Sequence, residues 1–322
     1  MKKIYFLKII LFLCLFSSAA QAQTTCQAAI NPIPSSYNFG LNTTTAVATT
    51  SINTATSPSA YMIIQCNVTL ALNLLSSGTT ITYQLLDNLV MTNGTRTIGL
   101  QFSHDSNFSP NYSSSGGGAT LGSSYLLNLS LLGTQGLRIP VYVRTTPKGT
   151  WPKAGTYSGT FRISISGSIC TLGIAVCITS VAIGPNLVTT FSTSITVAKY
   201  CEFISVAPTA SLGTVGSLSD VVGTTIPLQI RCGQDEDFTI SSNNGQHYNG
   251  TSRRLASTIN NYVTYNIYHP GSSTQILTST NTYAALATGV NQTFNIPVNI
   301  PQGQSTPPAG VYSDTVTFTV EY

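Results

Sequence analysis

At 322 residues the chain is long enough for two domains. Charged residues make up only 7% of it, which excludes the Lys-, Glu- and Arg-covered surface of an ordinary helical enzyme, and 42% hydrophobic residues exclude a disordered chain. Three of the thirteen basic residues, Lys2, Lys3 and Lys8, fall in the first 22 positions; the ten that remain face nine acidic ones, so no nucleic-acid-binding stripe can be built.

Residues 1–22 read as a secretory signal peptide. Lys2 and Lys3 form the positive start, 4–16 the apolar core, and Ala20-Gln21-Ala22 the small-x-small cleavage site, so the mature chain starts at Gln23. The apolar run is too short to span a bilayer comfortably, and no later segment reads as a membrane helix. An exported protein is the expectation. Cys14 leaves with the signal. Cys26, Cys66, Cys170, Cys177, Cys201 and Cys232 remain, an even number that points to disulfides in an oxidising compartment.

Short apolar stretches then follow one another between Gly, Asn, Ser and Pro turns. Strands are predicted near Cys26 and at 61–66, 79–86, 96–103, 137–144 and 155–167, with equivalents in the second half. Phe161, Ile163 and Ile165 alternate with polar residues, and so do Val316, Phe318 and Val320, the period-two mark of a half-buried strand. No stretch has helical periodicity.

The second half repeats the first. Leu137-Arg138-Ile139-Pro140-Val141 matches Phe294-Asn295-Ile296-Pro297-Val298, and Ala154-Gly155-Thr156-Tyr157-Ser158 matches Ala309-Gly310-Val311-Tyr312-Ser313. Asn93-Gly94-Thr95 matches Asn249-Gly250-Thr251, and each half carries an early cysteine and a second one after an apolar run. The expected organisation is a first domain at 23–185 and a second at 186–322. The repeat pairs Cys26 with Cys66 and Cys201 with Cys232, which leaves Cys170 to Cys177.

This pattern resembles the spore coat protein U domain family. Its marks are the early cysteine, the apolar-Gly steps Phe39-Gly40 and Leu212-Gly213, the second cysteine, and the ending A-G-x-Y-S-D-T-V-T-x-T-V-x-Y, present at 309–322. The first copy departs from the ending, with Gly159 where the second has Asp314. The resemblance implies an all-β fold of two immunoglobulin-like sandwiches in a subunit of an archaic chaperone–usher pilus, a two-domain member looking like the tip adhesin. It also implies that the second domain lacks its last strand and is completed by donor-strand exchange along a groove that includes Val316, Phe318 and Val320. The implied partners are a periplasmic chaperone, an outer-membrane usher and the next pilus subunit, which donates the strand. The residues agree with that expectation. The second copy ends at Tyr322, directly after the strand that corresponds to 155–167, whereas the first runs on and has residues for its own last strand at about 178–189. Cys26 stands four residues into the mature chain, leaving no extension to donate, so a terminal place in the fibre is expected.

The first copy is longer in three places. Cys66 to Asn93 spans 27 positions where Cys232 to Asn249 spans 17, and His104 to Pro140 spans 36 where His269 to Pro297 spans 28. The third excess follows Gly167. These insertions are uncharged and apolar, unlike ordinary loops. The first carries Leu70, Leu72, Leu74 and Leu75; the second carries Leu126, Leu127, Leu129, Leu131 and Leu132; the third carries Leu172, Ile174 and Val176. In a sandwich whose chain reverses at every loop, all three fall at one pole, the one far from the second copy. A single apolar insertion reads as extra core; three at one pole read as an exposed surface that binds hydrophobic abiotic or host surfaces and supports attachment and biofilm formation. The alternatives are a lectin-like tip that binds a glycan and a purely structural fibre or coat subunit.

Enzyme readings are poor. His104, His247 and His269 are the only histidines, and no His-Glu-x-x-His, Cys-x-x-Cys or Gly-x-Ser-x-Gly occurs. No cofactor or metal is expected. Asp235-Glu236-Asp237 reads as a solvated turn rather than a cation site. Trp151, between Lys148 and Lys153, is the side chain best suited to stack on a sugar, but it falls at the pole opposite the insertions.

Overall fold

The structure, a computed structural model of the chain, describes residues 26–31, 36–53, 61–67, 72–73, 78–122, 134–173, 177–204 and 208–322. The expected signal peptide lies outside the described residues, and so does most of each of the first two insertions. Among the described residues no helix is long and apolar enough to cross a membrane.

The first domain contains β1 (Cys26–Asn31), β2 (Ser36–Asn42), β3 (Tyr61–Asn67), β4 (Leu72–Asn73), β5 (Thr80–Leu85), β6 (Val90–Asn93), β7 (Arg96–Ser103), β8 (Gly118–Leu121), β9 (Thr134–Pro140), β10 (Tyr142–Thr145), β11 (Gly155–Gly173) and β12 (Cys177–Val197). A small sheet, β1-β3-β9, accompanies a large one ordered β10-β7-β6-β11-β12-β2, with β5 also on β11 and β8 on β5. One helix, α1 (Thr44–Thr49), breaks the expectation of none. Thr43 caps it, its hydroxyl accepting from the Ala46 N–H at 3.1 Å. Six residues are too few for a periodicity to show.

The second domain contains β13 (Cys201–Phe203), β14 (Thr224–Cys232), β15 (Asp237–Ser242), β16 (Arg253–Ala256), β17 (Tyr262–Ile267), β18 (Tyr283–Leu286), β19 (Gln292–Asn299) and β20 (Phe318–Glu321). They form the sheets β13-β14-β19-β17-β16 and β18-β15-β20. The all-β, two-sandwich reading therefore holds.

The register repeats along with the sequence. Cys201 stands opposite Cys232 and Thr225 opposite Pro297; Cys26 stands opposite Cys66 and Tyr61 opposite Pro140. The Cys201–Cys232 and Cys170–Cys177 disulfides are formed, as expected. The side chains of Cys26 and Cys66 lie outside what is described. The shared A-G-x-Y-S motif has a structural cause. Tyr157 donates its hydroxyl hydrogen to the Lys153 carbonyl at 2.9 Å, and Tyr312 does the same to the Pro308 carbonyl at 2.7 Å. Each tyrosine thus pins the chain where it enters the strand, a corner device of immunoglobulin-like sandwiches.

The expected junction at 185 needs correction. β12 pairs with β11 from Cys177 through to Val197, and Phe191, Ile195 and Val197 are part of the first core. The second core begins with Cys201. The apolar alternation of 187–197 belongs to the first sandwich, and only Ala198, Lys199 and Tyr200 separate β12 from β13.

Candidate functional site

Two regions of the molecule can act on something else: the end of the first domain from which the insertions spring, and the open edge of the second.

The stems of the three insertions share one end of the first sandwich. Asn67, before the first insertion, pairs with Thr134, after the second. Ile81 pairs with Leu121, where the second insertion departs. Thr80 pairs with Ser168 on β11, and Leu72 pairs with Leu172. The buried Thr79 hydroxyl accepts from the Cys170 N–H at 3.0 Å. At Gly78 an added Cβ would come within 2.3 Å of the Cys177 Cβ, so the first insertion returns tightly against the base of the third.

The third insertion is shorter than expected. β11 continues to Gly173 and β12 begins at Cys177, so the hairpin is strand for most of 169–178. Ile169 and Cys170 are core, at 1% and 0% exposure. Ile169 joins the same core as Phe161, Ile163 and Ile165, while Cys170, next along the strand, is buried in its disulfide with Cys177. Ile178, at 72%, faces out. Leu172 and Leu72 are known here by their backbone pairing alone. Leu70, Leu74, Leu75, Leu126, Leu127, Leu129, Leu131, Leu132, Ile174 and Val176 lie outside the described residues.

The second region is the edge strand β20. On one side it pairs with β15, Ile240 opposite Val320. Among the described residues nothing pairs with its other side. Its first-domain counterpart β11 is flanked by β12 along its whole length. The side chains record that difference. Phe161, Ile163 and Ile165 are 3%, 0% and 0% exposed, whereas Val316, Phe318 and Val320 are only half-buried against the second core. The two segments share the apolar alternation, though β11 is the longer strand; β11 has a covering strand and β20 has none among the described residues.

Both histidines shared by the repeat are engaged by neighbouring groups. The His104 Nδ1 lies 2.7 Å from the Tyr83 hydroxyl, and burial holds its pKa below the usual imidazole range. His269 is buried, its Nε2 3.1 Å from the Asn281 carbonyl. Among the described residues no three His, Cys, Asp or Glu side chains gather to hold a metal ion. The reading of Asp235-Glu236-Asp237 as a solvated turn is corrected: Glu236 is 8% exposed, and the turn packs against the first domain. Trp151 is 2% exposed, closed in by Tyr200 and Arg231, and offers no face to a sugar. An Asp-Glu-Asp run and a Trp between lysines look like surface in one dimension, and only the contact between domains buries them.

The family model described as the Spore Coat Protein U domain matches residues 13–164 and 187–319. No curated protein sequence matches the chain. Among solved structures, the CsuC–CsuE chaperone–tip adhesion subunit pre-assembly complex of Acinetobacter baumannii is similar at 20% identity, covering 93% of this chain and 100% of that one, with a TM-score of 0.47. CfaE, the adhesive subunit of CFA/I fimbria of enterotoxigenic Escherichia coli, is similar at 10% identity over 88% of this chain and 92% of its own, TM-score 0.36. The CupB6 tip adhesin of Pseudomonas aeruginosa is similar at 9% identity over 92% and 94%, TM-score 0.32.

Proposed function

This chain belongs to the Spore Coat Protein U domain family, and from that premise we propose that it is the tip subunit of a chaperone–usher fibre on the cell surface. The observation that carries the reading is the difference between two equivalent strands. β11 has its own partner in β12, and its apolar face is sealed; β20 has an open side, and its Phe318 and Val320, like Val316 just before it, are only half-buried. An open strand edge beside unburied apolar side chains is satisfied by an added strand. The second domain accepts that strand, first from a periplasmic chaperone and then, after passage through the usher, from the next subunit. The self-completed first domain is free to face outward.

At the outward pole the three insertions act as apolar fingers. The stems that converge on the Gly78, Thr80 and Leu172 region support a common patch, and the Cys170–Cys177 disulfide ties the base of the third finger, lowering the entropy lost on contact. The fingers adhere to hydrophobic surfaces by burying part of each leucine, and many fibres together turn weak contacts into firm attachment and biofilm. The burial of Trp151 removes the side chain best suited to a lectin.

The test is a triple substitution, one residue per finger: Leu74, Leu129 and Ile174 to Asp. A fully buried Leu or Ile is worth about 1.5–3 kcal/mol, so loss of three contacts abolishes adhesion to polystyrene. Fibre number and length stay unchanged, and adhesion of the unaltered protein survives high salt. Loss of assembly in the triple variant would show that these side chains are core. Normal adhesion that a free sugar blocks would establish a lectin instead.

A further inference from the structure

Domains joined in one chain usually move relative to one another unless their contact is extensive. Here the contact is built from backbone as well as side chains. Trp151, on the 146–154 loop of the first domain, donates its N–H to the Gly289 carbonyl at 2.9 Å, and its own carbonyl accepts from the Gln234 N–H at 3.1 Å. Its indole packs on Tyr200 at 5.5 Å between centroids and under the Arg231 guanidinium at 4.7 Å. The buried carboxylate of Glu236 accepts from the Ala154 N–H at 2.8 Å and lies 3.6 Å from the Lys199 ammonium. Asp235 pairs with Arg96 of the first domain. The short connection is itself held, since the Tyr200 carbonyl accepts from the Gly233 N–H at 3.2 Å.

Two glycines make this approach possible. A Cβ at Gly289 would lie 2.7 Å from the Trp151 carbonyl oxygen, and one at Gly233 would lie 2.8 Å from the Pro152 carbonyl oxygen. Both clashes are with backbone of the other domain, which cannot swing aside. Gly233 lies outside the left-handed backbone region, so its own turn does not require glycine; the neighbouring domain does.

We propose that the 146–154 loop and the 233–237 turn form an interdomain latch that holds the two sandwiches as one rigid unit. Trp151 is a positioning residue: it fixes where the insertions of the first domain point relative to the open edge of the second. The latch stands on these contacts alone and is independent of what the insertions bind.

The test measures interdomain distance in the full exported chain. Spin labels carried on noncanonical residues at the exposed positions Ser106 and Gln302 report one distance for each molecule. The unaltered protein gives one narrow distribution. Gly233→Val, a wedge at the contact, and Trp151→Ala each widen it about two-fold or more, as released domains do, while Trp151→Phe, which keeps the backbone bonds and a ring, restores most of the narrowness. Should Trp151→Ala fail to fold, Gly233→Val still decides, because its side chain meets the other domain and not its own core. A broad distribution in the unaltered protein overturns the proposal. So does an unchanged narrow one in the Gly233→Val variant.

Discussion

Filling the open side of β20 stabilises the second domain by an amount that the first domain allows to be worked out. Val316, Phe318 and Val320 are half-buried, and their counterparts Phe161, Ile163 and Ile165, beneath β12, are 3% exposed or less. Full burial of such a side chain contributes about 1.5–3 kcal/mol, and at most about a third of each remains exposed, so covering it contributes about 0.5 kcal/mol each and about 1.5 kcal/mol together. The apolar side chains of the incoming strand add a similar amount, which the ordering of that strand largely offsets. A net gain of about 1.5 kcal/mol raises the midpoint of a domain of this size by roughly 5 °C. The perturbation is a peptide of alternating apolar and polar residues fused after Tyr322 through a flexible linker. The control carries Ser at every apolar position of the same peptide. Scanning calorimetry of the two full-length fusions resolves the second-domain transition. Equal midpoints would refute the argument, because they would mean that the exposed part of Val316, Phe318 and Val320 gains nothing from a neighbouring strand.

Two further outcomes follow from the covalent and acid–base features. By loop-closure entropy, the Cys201–Cys232 bridge (separation 31) contributes about 3.7 kcal/mol and Cys170–Cys177 (separation 7) about 2.5 kcal/mol; denaturant titration of Cys201→Ser and Cys170→Ser therefore shows the larger loss in the former. His104 has its pKa lowered chiefly by burial, so the unfolded chain takes up the proton first; its contribution to stability is complete above about pH 6.5 and is lost as pH falls toward the folded pKa, and His104→Gln flattens that acid limb in a series of melting temperatures.

Much of the architecture was legible because it is written in repeats and alternations. The Cys-to-Cys and Ile-Pro-Val landmarks of the two halves coincide with β1-β3-β9 and β13-β14-β19, and two of the three expected disulfides are formed. A strand partner for β11 was legible too, from the surplus after Gly167, although β12 runs on to Val197 rather than stopping near 189. In that surplus the repeat ends at Gly167, which points to a loop at Ile169 and Cys170, whereas β11 shifts register at Gly167, φ +143°, and continues as strand. A bulge interrupts a pattern without ending a strand. The junction was not legible at all. Glu236 and Trp151 are about 85 positions apart, and nothing local in either segment shows that the other will cover it.

The long hairpin also sets how tension passes through the molecule. β12 is 21 residues long, about 70 Å at strand spacing, and runs from Cys177 beside the insertions to Val197 beside the connection, with a shift in its pairing to β11 between Ile183 and Leu187. In the fibre proposed above, a pull on the outward end would pass along the axis of one strand, with β11 antiparallel on one side and, over Ser192–Val197, β2 parallel on the other. Its ladder of hydrogen bonds is then strained sideways, many at once, instead of being peeled apart one by one. Yielding requires a whole row to fail together. Were the proposed surface attachment to hold a cell in flowing liquid, the surface contact would give way well before the subunit itself came apart.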